Sequence, residues 1–171
     1  MVAGRHRLGQ RTSALAWAAR YTYVDATFET PFTALSANHP DAVNGAIDVA
    51  AGARIPSVPA HIGKLAASWT SRFGLTVGAE LLAQSGQRLR GDEANRLPPL
   101  PGYAVFDVRG SQRLARALAV FVVVSNVFDA HPATFGVLGN ASEVLGPAFD
   151  SPRFLGPGAP RSVLLGIDLG L

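Results

Sequence analysis

The residues able to do chemistry are few, and their spacing does not suit it. The 171 residues contain no Cys, which removes thiolate metal sites, cysteine nucleophiles and disulfides together. His39, His61 and His131 share no metal-ligand spacing, and His39 and His131 each precede a proline in loop-like sequence. Asp92-Glu93 is an adjacent carboxylate pair, but it lies in a polar stretch and reads as a solvated loop rather than an acid/base dyad. Gly63-Lys64 has Val58 where a phosphate loop needs its upstream glycine, and no helical pattern follows. Gly156-Pro157-Gly158 has the composition of a turn. No Ser, His and Asp set stands out. The expectation is a protein that is not an enzyme and uses no cofactor and no metal.

Composition narrows the class. Hydrophobic residues make up 48% and charged residues 16%, with mean hydropathy +0.21. So low a charge excludes a disordered chain and a charge-laced helical bundle. The net charge is +3 despite a pI of 9.9, and the arginines are scattered, so no nucleic-acid partner is expected. Nor is a membrane helix encoded. The apolar stretch 117–128 is too short, since a spanning helix needs about 20 apolar residues. Arg5, His6, Arg7 and Arg11 precede a short apolar run, but Arg20 interrupts it and no cleavage site follows, so no signal peptide is read here.

The elements that must carry these residues are strands. Gly and Pro cluster near 30–59, 91–102 and 131–160, and between the clusters the pattern has period two. Strands are expected near 13–29, 57–71, 73–89, 102–114, 117–128 and 161–171, with 1–12 a disordered lead-in. In 13–23 the apolar row is Leu15, Trp17, Ala19, Tyr21 and Tyr23; in 161–171 it is Val163, Leu165, Ile167, Leu169 and Leu171. Segment 117–128 is apolar at both parities, and its facing is open. The charges Arg20, Lys64, Glu80, Asp107, Arg109 and Asp168 all take the parity opposite the apolar row. A lipid-facing Arg or Lys at mid-bilayer costs about 2–4 kcal/mol, which is reason enough for that exclusion.

Connection lengths alternate as well. Short turns fall near Arg72 and Ala115, and long loops at 30–56, 89–101 and 129–160, a rhythm more typical of outer-membrane barrels than of sandwiches. Trp17, Trp69 and Phe73 fall toward the short turns, and Tyr21, Tyr23 and Tyr103 toward the long loops, like two interfacial girdles.

Four motifs then suggest a family. They are Ile55-Pro56-Ser57-Val58-Pro59-Ala60-His61, Leu100-Pro101-Gly102-Tyr103 with Asp107, Asn126-Val127-Phe128-Asp129, and Phe154-Leu155-Gly156-Pro157-Gly158-Ala159-Pro160-Arg161. In this order they resemble the C-terminal strands of TonB-dependent outer-membrane receptors, over roughly 13–171. Val127, Pro132 and Leu171 depart from the usual pattern, which has Leu, Tyr and a terminal aromatic there.

The resemblance implies an all-β fold, the last six or so antiparallel up-and-down strands of a 22-stranded transmembrane barrel. It implies active uptake of a ferric siderophore, cobalamin or a similar scarce nutrient. The implied partners are outer-membrane lipid, the siderophore-like substrate, the remaining barrel and its plug, TonB through that plug, and the barrel-assembly machinery through the last strand. The implied place is the Gram-negative outer membrane, if the chain is exported; a plug and a signal peptide are not read in this sequence. The lumen-facing set would be Arg20, Lys64, Glu80, Asp107, Arg109 and Asp168. The loop residues Arg88, Arg90, Asp92, Glu93 and Arg96 would be the candidates for ligand capture, with the arginines suited to an anionic iron chelate. Two other readings stay open: a non-transporting remnant or mis-started product with the same strands, and a soluble β-sandwich binding module.

Overall fold

A computed structural model of the chain describes residues 1–8 and 13–170. Seven strands form the main sheet: β1 (Val2–Leu8), β2 (Ser13–Tyr23), β5 (His61–Thr70), β6 (Leu75–Gln84), β7 (Tyr103–Ala115), β8 (Leu118–Ser125) and β11 (Ser162–Leu169). They pair in that order, each antiparallel to its neighbour. The loop between β2 and β5 holds a hairpin of β3 (Phe32–Leu35) and β4 (Ala46–Val49). The loop between β8 and β11 holds β9 (Ala133–Leu138), a five-residue helix α1 (Ala141–Leu145) and β10 (Arg153–Pro157), with β9 and β10 paired.

Segment 1–12, expected as a disordered lead-in, is corrected at Val2–Leu8. These residues pair with β2 from Val2↔Ala19 to Leu8↔Ser13. Gly4 is the local reason: opposite Trp17, a Cβ at this position would lie 2.6 Å from the indole Nε1, so glycine lets the ring lie across β1. Leu171 lies outside the described residues.

Turn chemistry sets where the strands reverse. Between β5 and β6, Ser71 Oγ accepts from Phe73 N and Leu75 N at 3.2 and 3.1 Å, and Gly74 takes φ +82°. That is the left-handed region where a side chain is disfavoured. Short turns at this end and long loops at the other follow the expected rhythm.

Register decides facing, because directly paired residues of antiparallel strands share a face. Val108, Gly110 and Gln112 pair with Val124, Val122 and Val120, and Val122 pairs in turn with Leu165. This assigns the strand left open by sequence: Leu118, Val120, Val122 and Val124 join the apolar row, while Ala119, Phe121 and Val123 turn to the other face. Tyr103 is a correction. It pairs with Gln84 and shares the parity of Asp107, so it does not belong to the outward girdle with Tyr21 and Tyr23.

The buried core is not in this sheet. Leu89, Leu100 and Leu138 form it, with Ile47 and Val49 also buried, and all five come from the loops and their hairpins. On the sheet, by contrast, Leu65, Val163, Leu165, Ile167 and Leu169 are 54–74% exposed.

Candidate functional site

The pairing carries the charged residues one by one onto a single face. Arg20 pairs with Lys64; Ala66, two residues along, pairs with Glu80; Glu80 pairs with Asp107. Arg109 pairs with Val123, and Asp168 with Ala119, which shares the parity of Val123. All six expected residues therefore lie on one face, and the same register adds Arg5 opposite Ala16 and Arg113 opposite Ala119. Parity could have found Arg113; Arg5 was lost with the strand that carries it. Two of the pairings set like charges directly opposite, Arg20 with Lys64 and Glu80 with Asp107, an unfavourable arrangement across a sheet unless counter-charges face it. Among the described residues no salt bridge joins any of these side chains.

The opposite face carries no Asp, Glu, Lys or Arg among the described sheet residues. Trp17 and Trp69 lie on it. At its long-loop end Tyr21 Oη and His61 Nδ1 are 2.7 Å apart, with the Tyr23 ring 5.1 Å from that imidazole.

The three long loops lock together at one end of the sheet. Asp92 is fully buried, and both carboxylate oxygens are used: Oδ1 accepts from Arg96 N (2.8 Å) and Oδ2 from Leu97 N (3.0 Å). His39 Nε2 stands 3.1 Å from Oδ1, while Asp41 N donates to His39 Nδ1 at 3.0 Å. The proton therefore belongs on Nε2, which donates to the carboxylate. Ser36 Oγ donates to Gly91 O at 2.6 Å, and Asn95 exchanges bonds with the backbone of Arg54 at 2.8 and 2.9 Å. Toward the third loop, Arg90 N donates to Gly136 O and Leu138 N to Arg90 O. Gln87 Nε2 donates to Thr134 O at 2.8 Å.

The loop candidates divide accordingly. Asp92 is corrected from a solvated carboxylate to a buried cross-link, and His39, which sequence did not single out as its partner, completes it. Arg88 is half-buried, and its guanidinium donates to Asn95 O and Leu97 O at 3.3 and 2.9 Å. Glu93 Oε1 accepts from Gly91 N at 3.1 Å, and Oε2 is buried without a partner. Arg90 and Arg96 remain exposed, Arg96 beside Asp41 at 3.6 Å. Among the described residues no group of three His, Asp or Glu side chains is close enough to hold a metal ion.

The family description "TonB dependent receptor-like, beta-barrel" matches residues 4–127. The chain belongs to this family. Its fold is also that of solved receptors. It superposes on the siderophore receptor PiuA from Acinetobacter baumannii with TM-score 0.70 and 17% identity, covering 96% of this chain and 20% of that one. The closed form of the ferric-catecholate import receptor Fiu from E. coli K12 gives 0.61 at 20% identity, with 92% and 20% covered. The ferric yersiniabactin uptake receptor FyuA from Yersinia pestis gives 0.58 at 14%, with 96% and 22% covered. The chain thus spans about a fifth of these receptors. No curated protein matches it.

Within this TonB-dependent receptor fold, residues of three of the four motifs act as joints between strands and loops. Asp107 Oδ1 accepts from Asn126 N at 2.7 Å. Asn126 is buried at φ +53°, and its side chain binds Ala130 and Ala159. Asp129 accepts from Arg161 N at 3.2 Å and pairs with that guanidinium at 3.6 Å. These bonds tie the exit of β8 to the approach to β11, which gives these motif residues a structural role.

Proposed function

We propose that this chain is a piece of the barrel wall of an outer-membrane receptor that imports a ferric siderophore, cobalamin or a similar scarce nutrient. The observation that carries the reading is the division of one seven-stranded sheet into an exposed face without charge and a face that holds them all. In water the exposed face is a liability; in a bilayer it is the stable side. A sandwich would cover it with a second layer about 10 Å away, whereas the other two sheets here are two-stranded hairpins in the loops. Thickness agrees: β5 has ten residues, about 34 Å of rise, or about 26 Å of bilayer at a 40° tilt.

On this reading the charged face lines the lumen and meets the plug, through which TonB would deliver energy, and the last strand meets the assembly machinery. The loop cluster faces the outside, where the exposed Arg90 and Arg96, the latter already beside Asp41, are the groups placed to attract an anionic iron chelate. The test is flotation. Refolded with phospholipid vesicles, the chain should rise with them through a density gradient; recovery in the aqueous fraction without detergent overturns the membrane reading. In the complete receptor, Arg90→Ala with Arg96→Ala should weaken chelate binding at low salt and have less effect at high salt. Unchanged affinity at low salt removes these residues from the ligand site.

A further inference from the structure

At the short-turn end of the charged face lies a cleft of about 440 Å³. Its size is within the range of small-molecule sites, about 300–1,000 Å³. Pairing sets three hydroxyls of the lining in one row, Thr70 opposite Thr76 and Thr76 opposite Ser111. Thr70 Oγ1 and Thr76 Oγ1 are 3.1 Å apart, so one proton serves that contact and the other is left to bond outside the pair. Ser71, also in the lining, accepts from two amides at Oγ, which leaves its own proton to point elsewhere.

Two guanidiniums share the cleft. The β5–β6 turn brings Arg113 in: its N donates to Gly74 O at 3.1 Å, and a Cβ at Gly74 would lie 3.0 Å from Arg113 Cβ, so glycine allows the close approach. Arg72 belongs to the same turn, 4.4 Å over the Phe73 ring. Neither arginine forms a salt bridge among the described residues. One carboxylate opposes them. Asp168 lines the cleft too, but it pairs with Ala119, which pairs on its other side with Arg113. Two strand spacings, about 10 Å, therefore separate the Asp168 and Arg113 backbones.

We propose that this cleft binds the phosphate group of a small ligand. Guanidiniums and spare hydroxyl protons on several sides suit a tetrahedral oxyanion, whereas one guanidinium fork already matches a planar carboxylate. The space beyond a phosphate admits the group that carries it, and Asp168 on the far side suits a hydroxyl or ammonium of that group. The site depends on the charged face alone. On the membrane reading it opens into the lumen, at the end away from the loop cluster and its exposed arginines.

The test is a chemical-shift titration of the full chain, refolded in dodecyl maltoside at low salt, with inorganic phosphate as the probe. Amides of Ser71, Gly74, Ser111 and Arg113 should shift saturably with one dissociation constant, and those of Arg96 and Leu97 should stay. Arg72→Gln and Arg113→Gln should each weaken binding about tenfold, and Thr76→Val with Ser111→Ala about fivefold. Asp168→Asn removes the opposing charge and should tighten binding about threefold, a gain that misfolding does not produce. Arg54→Gln, an equal loss of charge at the exposed loop end, should change nothing. Shifts that rise linearly without saturation, an equal loss in Arg54→Gln, weaker binding in Asp168→Asn, or succinate bound as tightly as phosphate overturns the proposal. A chain that floats with vesicles but shows no saturable shift refutes this site alone. A chain that binds phosphate but stays in the aqueous fraction refutes the membrane reading alone.

Discussion

Leu65 and Ala66 are neighbours in sequence and point to opposite faces, so the same substitution at each gives a direct measure of what those faces contact. Leu65 is 54% exposed at the middle of β5, paired with Ala19 and Leu81 on the charge-free face. An arginine there would stand near mid-bilayer, at a cost of about 2–4 kcal/mol. At about 1.4 kcal/mol per tenfold, membrane partition should fall roughly 30-fold to several hundred-fold. Ala66 pairs with Ala18 and Glu80, beside a cleft of about 140 Å³ lined by Arg20 and Lys64. An arginine there faces a carboxylate across the strand, a contact worth about 0.2–1 kcal/mol in its favour. The assay is vesicle flotation across a urea series, comparing the urea concentration at which half of each variant floats. Leu65→Arg should lower that midpoint sharply, and Ala66→Arg should leave it unchanged or raise it slightly. Equal loss at both positions, or a larger loss for Ala66→Arg, refutes the assignment of faces.

Three further outcomes follow. Asp92→Asn replaces an acceptor of three hydrogen bonds with a group that must turn an NH₂ toward a donor; the cost should be about 3 kcal/mol, and hydrogen exchange at Arg96 and Leu97 should quicken about a hundredfold, while Asp150→Asn, an exposed control, leaves both unchanged. Gly166→Val should destabilise the β8–β11 pairing by about 1–3 kcal/mol, because the Phe121 ring lies where its Cβ would go; Phe121→Ala should rescue much of that in thermal unfolding, and no rescue would mean the ring is not the obstacle. Ser71→Ala removes the oxygen that accepts from Phe73 N and Leu75 N, so exchange at those two amides should rise about five- to tenfold with little change at β11.

The sheet was legible because its physics is local and periodic. Alternation, charge parity and turn residues act over two to four positions, so they can be read without knowing which strand lies beside which. The facing of β8 was not legible, because both of its rows are apolar and only pairing with Arg109 and Asp168 separates them. Tyr103 was misplaced for a related reason: its aromatic type suggested a girdle, while its parity with Asp107 already put it on the other face. The first strand was missed because Gly4 and the basic residues around it read as lead-in; the glycine shows its purpose once Trp17 is opposite. In the loops, Asp92 and Glu93 are adjacent and alike in type, yet Asp92 is fully buried and Glu93 is not. Asp92 is held by the nearby amides of Arg96 and Leu97 and by His39, 53 residues away, and no short-range pattern encodes that last contact.

The two halves of this molecule obey opposite solvent rules, and this fixes what the sheet requires of its surroundings. The loops bury leucines and a carboxylate against one another, as a water-soluble domain does. The sheet exposes its apolar row and sets like charges face to face on the other side, which on the proposed reading is stabilised by lipid against one face and counter-charges or water against the other. Strand count adds a further constraint. Seven antiparallel strands leave β1 and β11 running the same way, so bringing these two edges together would make a parallel pair. Antiparallel closure instead needs an odd number of additional strands between them, which an even-stranded barrel supplies. The same requirement tells a wall segment from an independent module: strands added at β1 and β11 should protect those edges from exchange and leave the loop cluster, already satisfied within itself, as it is.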